Sequence, residues 1–131
     1  MRYIAGVLCL VFLAGCLHHE NEAMKPPKDA ITVSELLAQA EKWDGKIVRV
    51  YGYYYDHAPS AVLFPSKKVF EKKQAGNGLW IGPDCAGSLA EKTHRESETY
   101  VIIEGEFRNQ PLGTFGEFPA QVGCISRFEI Q

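Results

Sequence analysis

Apolar and polar residues repeat on a helical period near residue 35 and alternate with a period of two in several later stretches. Thr32 and Glu35 stand at capping-box spacing, and Val33, Leu36, Leu37 and Ala40 follow at intervals of three and four. The spacing predicts a helix over about Val33–Lys42, ending near Trp43-Asp44-Gly45, where glycine supplies a left-handed cap or turn. Lys46–Asp56 is dense in β-branched and aromatic residues and reads as a strand. Val48, Val50, Gly52 and Tyr54 fall on one side of it, the expected core side, and Arg49, Tyr51, Tyr53 and Tyr55 on the other. Shorter strands are predicted at Val62–Phe64 and Leu79–Ile81, a long one at Tyr100–Phe107 and a last one near Gln121–Ile130. The connection holding Lys67-Lys68 and Lys72-Lys73 carries the turn signal Gly76-Asn77-Gly78, and Ser88–His94 is a weak helical segment.

The fourth predicted strand echoes the first. Val101, Ile103, Gly105 and Phe107 repeat the pattern of Val48, Val50, Gly52 and Tyr54, with glycine at the third same-face position of each. Glycine inside a strand costs stability, so its presence there implies a bend, a bulge or a close backbone approach. Two strongly curved strands are what closure of a small barrel requires. The expected fold is therefore mainly β with one N-terminal helix, the helix packing at one end of five curved antiparallel strands in a small, partly open barrel. The pattern around Asp44-Gly45-Lys46 with Val48, Val50 and Gly52, and later Val101, Ile103 and Gly105, resembles bacterial OB-fold-like domains over most of residues 31–131. It departs from them in placing its evident helix first. A different small barrel, or an open sheet with one helix, also fits the pattern. The resemblance implies that one sheet face and the adjacent loops meet ligands.

Ahead of the barrel, Met1-Arg2 supplies one positive charge and Tyr3–Gly15 carries none. A short basic head, a brief apolar stretch and small residues make the pattern of a secretory signal. The stretch falls short of the roughly 20 residues a spanning helix needs. Leu13-Ala14-Gly15-Cys16 resembles the lipobox of bacterial lipoproteins. That resemblance implies acylation of Cys16, which becomes the first residue after removal of residues 1–15, and attachment to the membrane by two or three acyl chains. Position 17 is Leu rather than Asp, which by the family's sorting rule favours the outer membrane over the inner. The alternatives are an ordinary secreted protein in which Cys16 is incidental, or an unprocessed amphipathic tail. Residues 16–30 are polar, charged and broken by Pro26-Pro27, and read as a flexible tether. His18 and His19 have no further ligand nearby in the sequence, so no metal site is expected there. Residues 31–131 remain for the barrel.

The 131 residues amount to one domain, and 46% hydrophobic content is enough to bury a core. Fourteen Lys+Arg against 16 Asp+Glu give a net charge of −2, and loss of residues 1–15 removes only Arg2. The remaining net charge of −3 makes neither nucleic acid nor a membrane surface, both anionic, an attractive electrostatic partner for the barrel as a whole. Of four cysteines, Cys9 leaves with the signal and Cys16 is taken by lipid, leaving Cys85 and Cys124. An even remainder in an oxidising compartment predicts one disulfide, which closes a loop of about 40 residues and stabilises by about 4 kcal/mol. Two buried thiols, or a metal pair completed by His57 or His94, are the competing readings; neither cysteine lies in a CxxC, so no metal is assigned.

Chemistry is sparse. No GxSxG, HExxH, P-loop or GxGxxG pattern occurs, and no cofactor is expected. His94 stands among charged residues, and Glu104 and Glu106 share one strand face where exposed acids are ordinary. The chain is expected not to be an enzyme. Tyr51, Tyr53 and Tyr55 make an aromatic ladder suited to sugar rings, peptides or a protein surface, or else to packing against a helix or long loop. Phe115 and Phe118 are a second aromatic candidate on the last loop. Two classes therefore stand side by side: a membrane-tethered module binding an envelope protein or glycan, and a purely structural envelope component. The residues set no oligomeric state.

Overall fold

The computed structural model describes residues 25–57, 60–82, 98–113 and 116–131. The Thr32–Glu35 capping box forms as the spacing demands: Thr32 Oγ1 accepts from the Glu35 N–H at 3.2 Å, and the Glu35 carboxylate accepts from the Thr32 N–H at 3.1 Å. Helix α1 spans Val33–Ala38 and buries Val33 and Leu36. The single helix expected through Lys42 is instead two. The Gln39 N–H turns back to the Leu36 carbonyl, Gln39 leaves helical geometry at φ −123° and ψ 32°, and α2 restarts over Ala40–Trp43 without burying a residue. Gly45 then takes φ 77° and donates its N–H to the Phe107 carbonyl at 2.8 Å, seating the turn on the far strand.

Strand β1 (Ile31–Thr32) runs parallel to β2 (Ile47–His57). The remaining strands are β3 (Ser60–Phe64), β4 (Leu79–Ile81), β5 (Thr99–Arg108) and β6 (Ala120–Ile130). Their order is β1-β2-β3-β4-β6-β5, and β2 also pairs with β5 from Ile47↔Glu106 to Tyr54↔Thr99. That last ladder closes β2, β3, β4, β6 and β5 into a five-stranded, OB-like barrel, so the small β barrel expected from the strand pattern is the fold observed. Two details differ from the expectation. The barrel is closed, because the eleven residues of β2 are long enough to pair with β5 along one half and β3 along the other. Within the barrel one pairing, β4 with β6, is parallel.

Both strand glycines sit where a backbone approach forbids a side chain. A Cβ on Gly52 would lie 2.6 Å from the Phe64 carbonyl oxygen, 2.7 Å from Leu63 Cγ and 2.9 Å from Val33 Cγ2. One on Gly105 would lie 2.5 Å from the Gly123 carbonyl oxygen. At Gly105 the β5–β6 register shifts between Glu104↔Arg127 and Glu106↔Gly123, leaving extra residues on β6, where Cys124 takes φ 51°. Inside, Val48, Val50 and Tyr54 of β2 meet Leu63, Leu79, Val101, Ile103 and Phe107, with Val33 and Leu36 of α1 plugging one end. Each such side chain contributes roughly 1.5–3 kcal/mol of burial free energy.

A further helix, α3 (Lys67–Glu71), lies in the β3–β4 connection, followed by a 3-10 turn at Ala75–Asn77. Ser66 caps α3, its hydroxyl accepting from the Val69 N–H at 3.3 Å. The segment Ser88–His94 lies outside the described residues.

Candidate functional site

The outer side of β2 carries Arg49, Tyr51, Tyr53 and Tyr55, as alternation requires. At one end of the row, Arg49 gathers carboxylates. Its Nη1 and Nη2 donate to the two oxygens of Glu129 at 3.2 and 2.7 Å, its Nε donates to Asp29 at 3.0 Å, and Glu104 stands 4.0 Å away. The hydrogen bond from Arg49 holds the Glu129 carboxyl below its ordinary value, and the same bond raises the Arg49 guanidinium. Asp29 belongs to the segment entering the barrel, so this fork fastens that segment to β2 and β6.

Further along, the aromatic ladder is covered. Tyr51 stacks on Tyr100 with centroids 5.4 Å apart and planes at 11°, and Tyr53 meets Tyr100 edge-on at 5.2 Å. Phe70 of α3 sits over the ladder, 5.5 Å from Tyr53, 4.6 Å from Tyr55 and 5.5 Å from Phe64. The Tyr100 hydroxyl accepts the Lys67 N–H at 3.1 Å, tying the start of α3 to β5. Tyr51 and Tyr53 are consequently only 5% and 4% exposed, and the candidate ladder is a second packing surface rather than an open face. Burial pushes both phenols above their ordinary pKa; Tyr100 adds to this for Tyr51, and Glu98, Tyr100 and Glu71 add to it for Tyr53.

What this side leaves partly open lies on the neighbouring strands. The registers Tyr55↔Val62, Val62↔Trp80, Trp80↔Gln121 and Arg108↔Gln121 set one row across β2, β3, β4, β6 and β5. Tyr55 and Trp80 are half-buried, and Phe118 packs on Trp80 at 5.2 Å. Phe118 is held there by the Leu112↔Phe118 bridge within the β5–β6 loop, whose two backbone hydrogen bonds measure 2.9 and 3.0 Å. At the far end of the row, Arg108 is exposed and pairs with Glu106 at 2.9 Å. The row thus holds two half-buried rings, Tyr55 and Trp80, on either side of buried Val62, with Gln121 buried at 9% exposure and Arg108 and Glu106 at its open end.

Of the residues singled out from the sequence, Tyr51, Tyr53, Tyr55 and Phe118 all lie on this side of the barrel, with Tyr51 and Tyr53 beneath neighbours and Phe118 at 9% exposure. Cys16, Cys85, His18, His19, His94 and Phe115 lie outside the described residues, and the His57 side chain is likewise not described. Cys124 occupies the β6 bulge, half-buried. Glu104 and Glu106 face different arginines, Arg49 at 4.0 Å and Arg108 at 2.9 Å. Among the described residues no cluster of three or more His, Cys, Asp or Glu is set to hold a metal ion. Phe70, Trp80 and Tyr100 complete the aromatic surface and were not singled out. A Ser66 cap ahead of Val69-Phe70, and Trp80 alternating with Leu79 and Ile81, are the signals that carry them. A shallow groove of about 520 Å³ along α1, α2 and Asn109 brings together none of the candidate residues.

No family model matches the chain, and no curated protein does. Among solved structures, the chain is similar to a DUF3299 family protein from Pseudomonas aeruginosa PAO1, at 11% identity over 84% of this chain and 88% of that one, with a TM-score of 0.43. A likeness at that level carries no argument about function.

Proposed function

We propose that this is a lipid-anchored, non-catalytic binding module of the bacterial cell envelope. In this reading Cys16 carries the acyl chains, residues 1–15 are the removed signal, residues 16–30 are the tether, and the barrel faces the periplasm from the outer membrane rather than the inner. The lipobox-like Leu13-Ala14-Gly15-Cys16 and Leu17 support the anchor and the sorting. No helix among the described residues is long and apolar enough to cross a membrane, which is compatible with an acyl anchor. The oxidising compartment supports a Cys85–Cys124 disulfide, as does the bonded state of the Cys124 sulfur.

The observation that carries the binding role is the cross-strand row Tyr55–Val62–Trp80–Gln121–Arg108, flanked by Phe118. It occupies the strand face and the neighbouring loop that OB-like barrels commonly use. The half-buried Trp80 ring, with the Arg108–Glu106 pair at the end of its row, offers a sugar ring both a stacking surface and hydrogen-bond partners, so an envelope glycan is the ligand class it suits best. The non-catalytic reading is supported by Glu104 and Glu106, which stand beside different arginines, Arg49 and Arg108.

The test is sedimentation of the purified full-length protein with isolated envelope glycan. Trp80→Leu, which keeps apolar bulk and loses the ring face, is expected to weaken sedimentation by up to about tenfold with an unchanged far-ultraviolet spectrum. Equal sedimentation of the two forms, or none by either, overturns the binding face and leaves the structural-component reading.

A further inference from the structure

Of the chain's 14 lysines and arginines, four fall within seven consecutive residues: Lys67, Lys68, Lys72 and Lys73, on α3 and just past its end. The helix is two-sided. Val69 and Phe70 are half-buried against the barrel, whereas the four lysines and Glu71 are exposed. Lys67 Nζ lies 4.0 Å from the Glu71 carboxylate, so the patch keeps a net surplus of three positive charges in a chain whose overall balance is −2.

The tether meets the barrel on this same side. Asp29 binds Arg49, and Arg49 shares the outer face of β2 with Tyr53 and Tyr55, the residues that hold Phe70. Four residue steps along the strand, about 13 Å, separate Arg49 from Tyr53. The acids around Arg49, namely Asp29, Glu104 and Glu129, gather on its guanidinium, which offsets part of their charge. Glu98 and Glu71 both act electrostatically on Tyr53. In the anchored reading the barrel's own charge pattern decides which side rests on the surface.

We propose that the lysine-bearing face of α3 docks on an anionic phospholipid surface, giving the barrel a second membrane contact and a fixed orientation. This rests on the lipid-anchored reading above. The anchor holds that surface at high effective concentration, which is why lipid is favoured over a soluble polyanion as occupant. Lysines near an anionic surface add attraction in proportion to their number, while two-signal attachment is firmer than one.

The experiment uses protein purified from bacterial membranes and reconstituted on phosphatidylcholine vesicles, with or without about one-third phosphatidylglycerol. An impermeant amine-acylating reagent is applied, and each lysine is read by peptide mass spectrometry, with Lys42 and Lys46 as references. On anionic vesicles Lys67, Lys68, Lys72 and Lys73 should react about tenfold more slowly than on neutral ones, with the difference gone at about 0.5 M salt. A variant with all four changed to Gln, which alters only exposed side chains, should show freely rolling orientation on both vesicle types by distance measurement from Trp80 to a bilayer probe. Equal lysine reactivity on the two vesicles overturns the proposal. So does protection by single-stranded RNA or an acidic protein with none by vesicles. Failure of the anchor is read separately, as loss of attachment to the neutral vesicles.

Discussion

Replacing Gly52 by alanine adds one methyl group at the most crowded point of the barrel wall. The new carbon would stand 2.6 Å from a backbone oxygen of β3, 2.7 Å from Leu63 and 2.9 Å from Val33. Contacts between such atoms normally settle at about 3.5–4.0 Å, so each is short by roughly an ångström. None of the three neighbours can yield easily. The oxygen belongs to Phe64, paired with Tyr53 across the β2–β3 ladder, and Leu63 and Val33 are fully buried. Relief therefore means pushing β3 or α1 away from β2. Gly→Ala ordinarily gains about 0.4–1 kcal/mol by restricting the unfolded chain. Overpacking costs about 1–3 kcal/mol. With three fixed neighbours the upper end applies, and the net loss should be about 2–3 kcal/mol, or roughly 8–24 °C in Tm for a domain near 100 residues. Gly76→Ala is the control: nothing lies within 4 Å of its Cβ position, so it should be neutral or slightly stabilising. Urea unfolding followed by tryptophan fluorescence and circular dichroism measures both. A Gly52→Ala protein within about 0.5 kcal/mol of the parent would refute the claim that strand closure forces this glycine.

Phe70→Ala removes the half-buried ring that holds α3 on the ladder, and should cost about 2 kcal/mol, roughly half the price of a fully buried phenylalanine; it should also lower the Tyr53 pKa toward its ordinary value by admitting water, as read by phenolate absorbance. Because Glu129 titrates below its ordinary value of 4.5 in the fold, it contributes stability above that pH and loses it as the pH falls further; Arg49→Gln should flatten this acid slope in a series of urea midpoints. Tyr51 and Tyr53 titrate above 10.0, so their contribution is complete below pH 10 and is lost on further alkalinisation, and near-ultraviolet circular dichroism should hold steady up to that point.

The parts of the fold legible in the residues were those set by local rules. The Thr32–Glu35 cap, the inward set Val48–Val50–Tyr54 and the two strand glycines each depend on a few neighbours and came out as spacing demanded. The break at Gln39 was hidden because Leu36, Leu37 and Ala40 keep a helical period across it. Helix α3 leaves no helical signal in the sequence, because its five residues carry two lysines and no apolar period long enough to register. The parallel β4–β6 pairing is a matter of topology, which alternation cannot express. The tyrosine ladder shows the limit most clearly. Alternation placed Tyr51, Tyr53 and Tyr55 on one outer side correctly, but whether an outer side is open depends on what folds over it, and here Phe70 and Tyr100 do. Trp80 gained its place in the partly open row only through registers that bring β3, β4 and β6 together.

The account as a whole turns on Cys16. Protein expressed from the full 131-residue chain in a bacterium and isolated from the membrane fraction should yield an N-terminal peptide beginning at Cys16, its mass raised by covalently attached acyl groups, while a Cys16→Ser form should be lost from that fraction. An N-terminal peptide that begins elsewhere, or an unmodified Cys16 in protein that is nonetheless membrane-bound, contradicts it.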